Sequence, residues 1–355
     1  MSMTPAITRR GLGKMAVGAA AASALCASPA IAQTKRLAVV VSAVYKRSFD
    51  RFVIPKMKEL HNIEISSSAL LSAETLARSI AQKASPQVNL VSLDQGPWLQ
   101  GKELDLWTNL DPKIVPNLAD IPAAYRDADG MGSAVFSNLT VMVYDAEAVK
   151  AAGLPTPDSF FDLWAPGYKN RVSIPQFTNT YAFATLARTT SLLGGDPAVT
   201  MDPGFAKIRE MKPNIRTFMG PLGQVIQLFQ QKEIWLCFVP QFSAVQAAAA
   251  GLPIRWALPK EGAVATAHYI AIPKGAPNPE EAQKLANFML SPESQAFLAE
   301  DASMGAVNTK TRLSPAVATN FPPTEAVVNA AHVPWAIYNR DRVTLSERWQ
   351  REIQQ

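Results

Sequence analysis

Cysteine and histidine are scarce in this chain, and so is every motif built on them. Two cysteines and three histidines among 355 residues leave too few side chains for a disulfide framework or a zinc cluster. Cys26 lies in an N-terminal apolar stretch and Cys237 in the run Ile234-Trp235-Leu236-Cys237-Phe238-Val239. Cys237 therefore reads as a small buried hydrophobe, with a reactive thiol as the alternative. His61, His268 and His332 stand alone, none paired at helical spacing. Gly130-Met131-Gly132 lacks the third glycine of a dinucleotide fingerprint, and there is no phosphate loop, no G-x-S-x-G elbow and no serine with a lysine three residues on. Neither a cofactor nor a metal is expected. Lys and Arg form no cluster of the kind a nucleic-acid surface needs, so no nucleic acid is expected as a partner. Beyond the N-terminus no apolar run reaches the ~18 to 20 residues that span a bilayer.

What is present begins at the N-terminus. Thr8-Arg9-Arg10-Gly11-Leu12-Gly13-Lys14 precedes an Ala/Gly-rich stretch over residues 15–27, and Ala30-Ile31-Ala32 supplies a small-x-small cleavage pattern. Residues 1–32 thus read as a cleaved export signal, and the periplasm as the destination. The arginine pair resembles a twin-arginine address, with an ordinary secretory signal as the alternative. Cys26 follows Leu25 rather than a small residue, which argues against a lipid anchor. The chain holds 34 Lys+Arg against 29 Asp+Glu, a net charge of +5. Arg9, Arg10 and Lys14 leave with the signal, so 31 basic face 29 acidic side chains in the mature protein; most of the basicity is address label.

The mature chain alternates strand and helix patterns. Residues 37–41 and 88–93 read as buried strands, 63–65 as a short strand, and helical periodicity runs through Phe49, Phe52 and Val53 toward Leu60. Ser72 is placed to cap a helix carrying Leu76, Ala77 and Ile80. Further strands are predicted at 139–144, 171–174, 234–239 and 268–273. Helices are expected over 160–164, capped by Asp158, from Tyr181 to Gly194-Gly195, over the alanine run that ends at Gly251, over 279–290, and after Ser291-Pro292. Leu345, Trp349 and Ile353 form the apolar stripe of a C-terminal helix beside Arg342, Glu347, Arg348 and Arg351. Such alternation predicts an α/β fold with a mostly parallel sheet, whose ligands bind at the carboxyl ends of the strands.

The stretch Gly153-Leu154-Pro155-Thr156-Pro157-Asp158-Ser159-Phe160-Phe161-Asp162-Leu163-Trp164-Ala165-Pro166-Gly167-Tyr168-Lys169-Asn170-Arg171-Val172 resembles the signature of bacterial extracellular solute-binding proteins that serve ABC importers. Leu93-Asp94-Gln95-Gly96, the segment from His268 through Asn278, and Ser291-Pro292-Glu293-Ser294-Gln295 match the same group in order. The resemblance implies a periplasmic-binding-protein-like fold (type II) of two α/β lobes around a ligand cleft. Lobe 1 would comprise 33–139 and 268–312, lobe 2 140–267 and 313–355. It further implies a monomeric, non-enzymatic receptor that captures a small polar solute and delivers it to an ABC importer permease in the inner membrane. An exported hydrolase using Asp94 and His268 as an acid/base pair is the rival reading.

On that resemblance, polyamine-binding members carry carboxylates near the positions of Gln176, Thr180 and His268, and tryptophans near Phe238 and Thr266. A diammonium ligand needs those counter-charges, and this chain has neutral or polar residues instead; nor does it carry the adjacent tyrosines of ferric binders. The candidate ligand residues are Ser42, Tyr45, Asp94, Gln95, Gln176, Thr178, Asn179, Tyr181, Phe238 and His268. They suit a neutral or anionic solute, with the helix starting near Tyr181 offering backbone N–H groups. A polyamine receptor is the alternative. Several residues also have plain structural readings: Thr178-Asn179-Thr180 as a helix cap, Tyr45 as core, and His268 as a satisfied strand residue.

Overall fold

Strands β1 (Lys35–Val41), β2 (Ile63–Ala69) and β3 (Leu90–Asp94) pair in parallel with β1 between the other two. The computed structural model describes residues 35–355 apart from 324, 325 and 328; the expected export signal lies outside the described residues. Val39, Val40 and Val41 are all buried, as they must be in a strand covered on both faces. Helical turns from Lys46 to His61 link β1 to β2, and the Ser72–Ala81 helix links β2 to β3. The remaining strands are β4 (Trp107–Thr108), β5 (Ser133–Asp145), β6 (Val172–Pro175), β7 (Ile215–Met219), β8 (Leu236–Pro240), β9 (Ile254–Ala257), β10 (Val264–Pro273) and β11 (Ala331–His332).

The sheet runs in the order β2-β1-β3-β10-β5-β8-β6-β7, with β4 and β11 paired to β10 and β9 to β5. Its two ends are parallel, as expected. Its centre is not: β10 runs antiparallel to β3 and β5, and β5 antiparallel to β8. The long β5 is buried along its entire length and carries the sheet from one end to the other.

Three apolar cores form around this sheet. One is built mainly from residues 37–136 and 267–307, joined by Phe242; the other two draw on residues 139–265 and 330–353. Where β5 leaves the first core, a buried polar knot ties three segments together. Gln241 Nε2 donates to Asn138 Oδ1 (3.0 Å), the Leu139 N–H donates to Gln241 Oε1 (3.0 Å), and the Ser137 N–H donates to the Gly305 carbonyl (2.8 Å).

Two predicted caps are reassigned. The short helix Phe160–Trp164 is capped by Ser159, whose Oγ accepts from the Phe161 N–H, not by Asp158. Ser72 opens its helix without capping it, because its hydroxyl is engaged by Asp94.

Candidate functional site

Asp94 ends β3, and the β3–β10 register sets it directly opposite His268. Its Oδ1 lies 3.1 Å from His268 Nδ1, and its Oδ2 accepts from Ser72 Oγ at 3.0 Å. The Asp94 side chain keeps 36% of its surface exposed, against 4% for His268. Behind them the polar chain continues inward: His268 Nε2 lies 2.7 Å from Ser92 Oγ, and the Tyr45 hydroxyl donates to that same Oγ. With Tyr45 donating, Ser92 gives its hydrogen to Nε2, so a neutral His268 carries its own hydrogen on Nδ1, toward Asp94. The His268 ring stacks on Phe136 at 4.9 Å and meets the edge of Tyr45. Sequence alone therefore picked out one pair, Asp94 and His268, that folding brings into contact, with His268 orienting the carboxylate from behind.

The charge of the same carboxylate reaches Tyr181. Burial pushes its phenol up, the charge of Asp94 pushes it further, and a hydrogen bond with Thr266 pulls it partly back; the hydroxyl is 3.3 Å from Thr266 Oγ1. It remains a neutral donor at any physiological pH. Gln95 is nearby but committed: its Oε1 accepts from Trp335 Nε1 at 3.1 Å, and its Nε2 is 3.5 Å from the Tyr269 hydroxyl.

The other candidates fall into two groups. Gln176 and Asn179 line a loop around Gly220, with Gln176 Nε2 donating to the Phe218 carbonyl (3.3 Å) and Asn179 Nδ2 to the Gly220 carbonyl (2.9 Å). Asn179 is also the cap of the Thr180–Leu192 helix. Its Oδ1 accepts the Tyr181 N–H at 3.1 Å and its carbonyl accepts the Ala182 N–H at 3.0 Å, so two of the N–H groups expected to meet an anion are already satisfied. Thr178 is exposed. Tyr45 and Phe238 lie in the apolar cores, each 1% exposed; Phe238 packs edge-on against Phe160. They shape the walls from behind and offer no surface to a solute. Ser42 is half-buried, its carbonyl accepting the Tyr45 N–H at 3.3 Å.

Sequence reasoning missed Ser72, Ser92, Thr266, Trp335, Tyr338 and Arg342. The last three lie on the helix Trp335–Trp349, whose N-terminal half presses against the Asp94 loop: Asn339 Nδ2 donates to the Gly96 carbonyl at 2.9 Å. Gly96 has to be glycine, since a Cβ there would sit 2.5 Å from Trp335 Cε3. A signal was available. Trp335, Tyr338, Asn339 and Arg342 share one helical face, and it is polar-aromatic where the later Leu345, Trp349, Ile353 stripe is apolar.

Glu233 and Glu261, acids close in sequence to the matched ligand positions, are engaged elsewhere. Glu233 pairs with Arg216, and Glu261 accepts from Ser159 Oγ (2.6 Å) and the Phe160 N–H (2.9 Å). Among the described residues no group of His, Cys, Asp and Glu is placed to hold a metal ion, and no helix is long and apolar enough to cross a membrane.

Comparison with known proteins places this geometry. In sequence, a spermidine/putrescine-binding periplasmic protein of Salmonella typhimurium is 31% identical over 169 residues, which is 46% of this chain and 47% of that protein; the chain spans about half the length of the curated relatives it matches. In structure, an ABC transporter from Clostridium perfringens aligns with a TM-score of 0.77 at 22% identity, over 89% of this chain and 99% of its own. An ABC transporter substrate-binding protein from Bradyrhizobium japonicum gives 0.75 at 21% identity, over 90% and 100%. The fold is that of the periplasmic binding proteins. The family described as bacterial extracellular solute-binding protein matches residues 56–323, three quarters of the sequence, and the chain belongs to that family.

Proposed function

We propose that this protein is a periplasmic receptor that captures a small polar solute between two lobes and delivers it to an ABC importer permease. The observation that carries this reading is the convergence on Asp94, from three directions, of Ser72 and His268 beside β3, Tyr181 from the second set of cores, and the Trp335–Trp349 helix. A carboxylate that keeps 36% of its surface exposed, held from behind by Ser72 and His268 and backed by apolar packing, suits the capture of a polar solute. Lobes of 33–139 with 268–312 and of 140–267 with 313–355 accord with the three cores, and closure around the Asn138–Gln241–Gly305 knot would bury the solute.

The hydrolase alternative uses Asp94 and His268 as acid and base; a serine form of it, with Ser92 as the nucleophile, meets a steric objection. Ser92, His268 and Asp94 follow one another as nucleophile, base and acid do, but Ser92 is 1% exposed and its oxygen already receives the Tyr45 hydroxyl. A substrate carbonyl has no approach to it. A polyamine is the second ligand reading, favoured by the names of the curated relatives. Against it, Asp94 is the carboxylate whose charge reaches Tyr181 and Tyr338, while Glu233 and Glu261 are engaged elsewhere. A second ammonium left unpaired in a closed cleft costs several kcal/mol.

Isothermal titration against a library of small metabolites tests the receptor reading: stoichiometric binding without consumption supports it, and turnover of any ligand refutes it. Export by the twin-arginine route predicts that replacing Arg9 and Arg10 by lysine blocks delivery; normal periplasmic levels would reassign it to general secretion. Light scattering is expected to give a monomer.

A further inference from the structure

We propose that Asp94 and Arg342 are the two poles of the ligand site, and that the solute is a small zwitterion, its ammonium on Asp94 and its carboxylate on Arg342. This rests on the receptor reading above.

The first support is placement. Trp335, Asn339 and Arg342 occupy one face of the C-terminal helix, and the first two are hydrogen-bonded to Gln95 and to the Gly96 carbonyl. Arg342, less than a turn beyond Asn339, therefore comes to the rim of the loop that begins at Asp94. Tyr338 lies between them, its ring packed against Phe183 and Trp335. Burial pushes the Tyr338 phenol up, adjacent Arg342 pulls it back, and Asp94 pushes it further up. Opposite charges from two parts of the fold thus act on a single hydroxyl.

The second support is that neither charge is matched by a permanently charged partner. Other arginines near this helix are paired: Arg340 with Asp341 (2.7 Å), Arg348 with Asp202 (2.5 Å) and Glu352 (2.8 Å), and Arg351 with Glu352 (3.6 Å). Among the described residues Arg342 forms no ion pair, and Asp94 meets no lysine or arginine. Each Asp94 oxygen takes one donor from the protein, and a carboxylate accepts about four hydrogen bonds, so about half its capacity is left open on a side chain that is 36% exposed. A guanidinium recognises a carboxylate through two parallel N–H bonds, and Arg342, which gives one donor to the Tyr338 hydroxyl, has five N–H groups in all. A diamine would leave Arg342 repelling one end; a diacid would meet Asp94.

The test holds chain length roughly constant and permutes charge. Titration calorimetry would compare alanine, β-alanine, 4-aminobutyrate and 5-aminovalerate with putrescine and cadaverine, and with succinate and glutarate. At least one zwitterion should bind tenfold or more tighter than every diamine and diacid. Asp94→Asn and Arg342→Gln should each weaken it by about ten- to a hundredfold, with Arg342→Lys retaining part of the affinity and ligand-free melting temperatures showing that the variants fold. Tighter binding of a diamine, or an affinity indifferent to Arg342→Gln, overturns the two-pole assignment while leaving the receptor reading intact. Silence of the whole panel overturns the zwitterion, and silence of the wider metabolite library as well overturns the receptor.

Discussion

Asp94 and His268 face each other across the β3–β10 ladder, 174 residues apart in sequence and 3.1 Å apart at Oδ1 and Nδ1. The neighbouring β5–β10 pairing slips by one residue between His268 and Tyr269, so His268 stands at an irregularity of the kind that re-aims side chains beside functional sites. Through Ser92 the ring also holds Tyr45, and a single residue thereby couples the Asp94 carboxylate to the first core.

His268→Ala removes the central member of that chain. Ser92 and Tyr45 remain paired with each other, but Asp94 retains only Ser72, and a cavity opens beside Phe136. Urea denaturation should show a loss of about 2–4 kcal/mol. Ser92→Ala should leave any residual esterase signal on 4-nitrophenyl acetate unchanged; a drop to zero would revive the hydrolase.

Gly305→Ala should be costly for a backbone reason. A Cβ there falls 2.1 Å from the Ser137 carbonyl oxygen, in the knot where β5 leaves the first core, and neither main chain can yield without breaking the Ser137–Gly305 bond. A loss of about 1–3 kcal/mol, several degrees in Tm, is expected by calorimetry. Gly223→Ala, where nothing lies within 4 Å, is the matched control and should be neutral.

Cys237 is fully buried on β8, and burial pushes its thiol up. Because the thiolate is the reactive form, Cys237 in the native protein should resist Ellman's reagent at pH 8 and react only in denaturant. Rapid labelling of the folded protein would mean that β8 opens locally.

Acid should loosen the C-terminal helix. The Asp202 carboxyl is held below its ordinary value by Arg348; at Glu352 burial pushes up, but Arg348 and Arg209 outweigh it and the net direction is again down. A depressed carboxylate contributes stability above its unfolded pKa and loses it as pH falls through the folded one. The stability difference between the protein and Arg348→Gln should therefore be constant from neutral pH down to about 5 and shrink below about 4. A difference that persists at pH 2.5 would show that Arg348 acts through its packing on Phe205 instead.

Much of the local architecture could be read from the residues. The valine run of β1, the Asn179 cap, Gly194 and Gly251 at positive φ after their helices, and Ser291 capping Pro292–Ala302 all follow from propensity and periodicity over a few neighbours. Two caps failed because side chains went elsewhere: Ser72 was drawn to Asp94, which comes from another strand, and Ser159 satisfied the helix that Asp158 precedes. The candidate site was legible in part. Asp94, His268 and Tyr181 are polar residues at strand and helix ends, where cleft residues collect. Tyr338 and Arg342 escaped notice because their helix also carries an ordinary apolar stripe.

By itself the sequence determined the element types, the α/β alternation and the family, all of which depend on short-range pattern or on composition. Tertiary structure alone decided the antiparallel centre of the sheet, the retreat of Tyr45 and Phe238 into the cores, and the meeting of Asp94 with His268 and the C-terminal helix. Those outcomes depend on strand register and on packing between segments 174 to 243 residues apart. No local propensity encodes such pairings; they are selected only when the burial of all the faces is satisfied together.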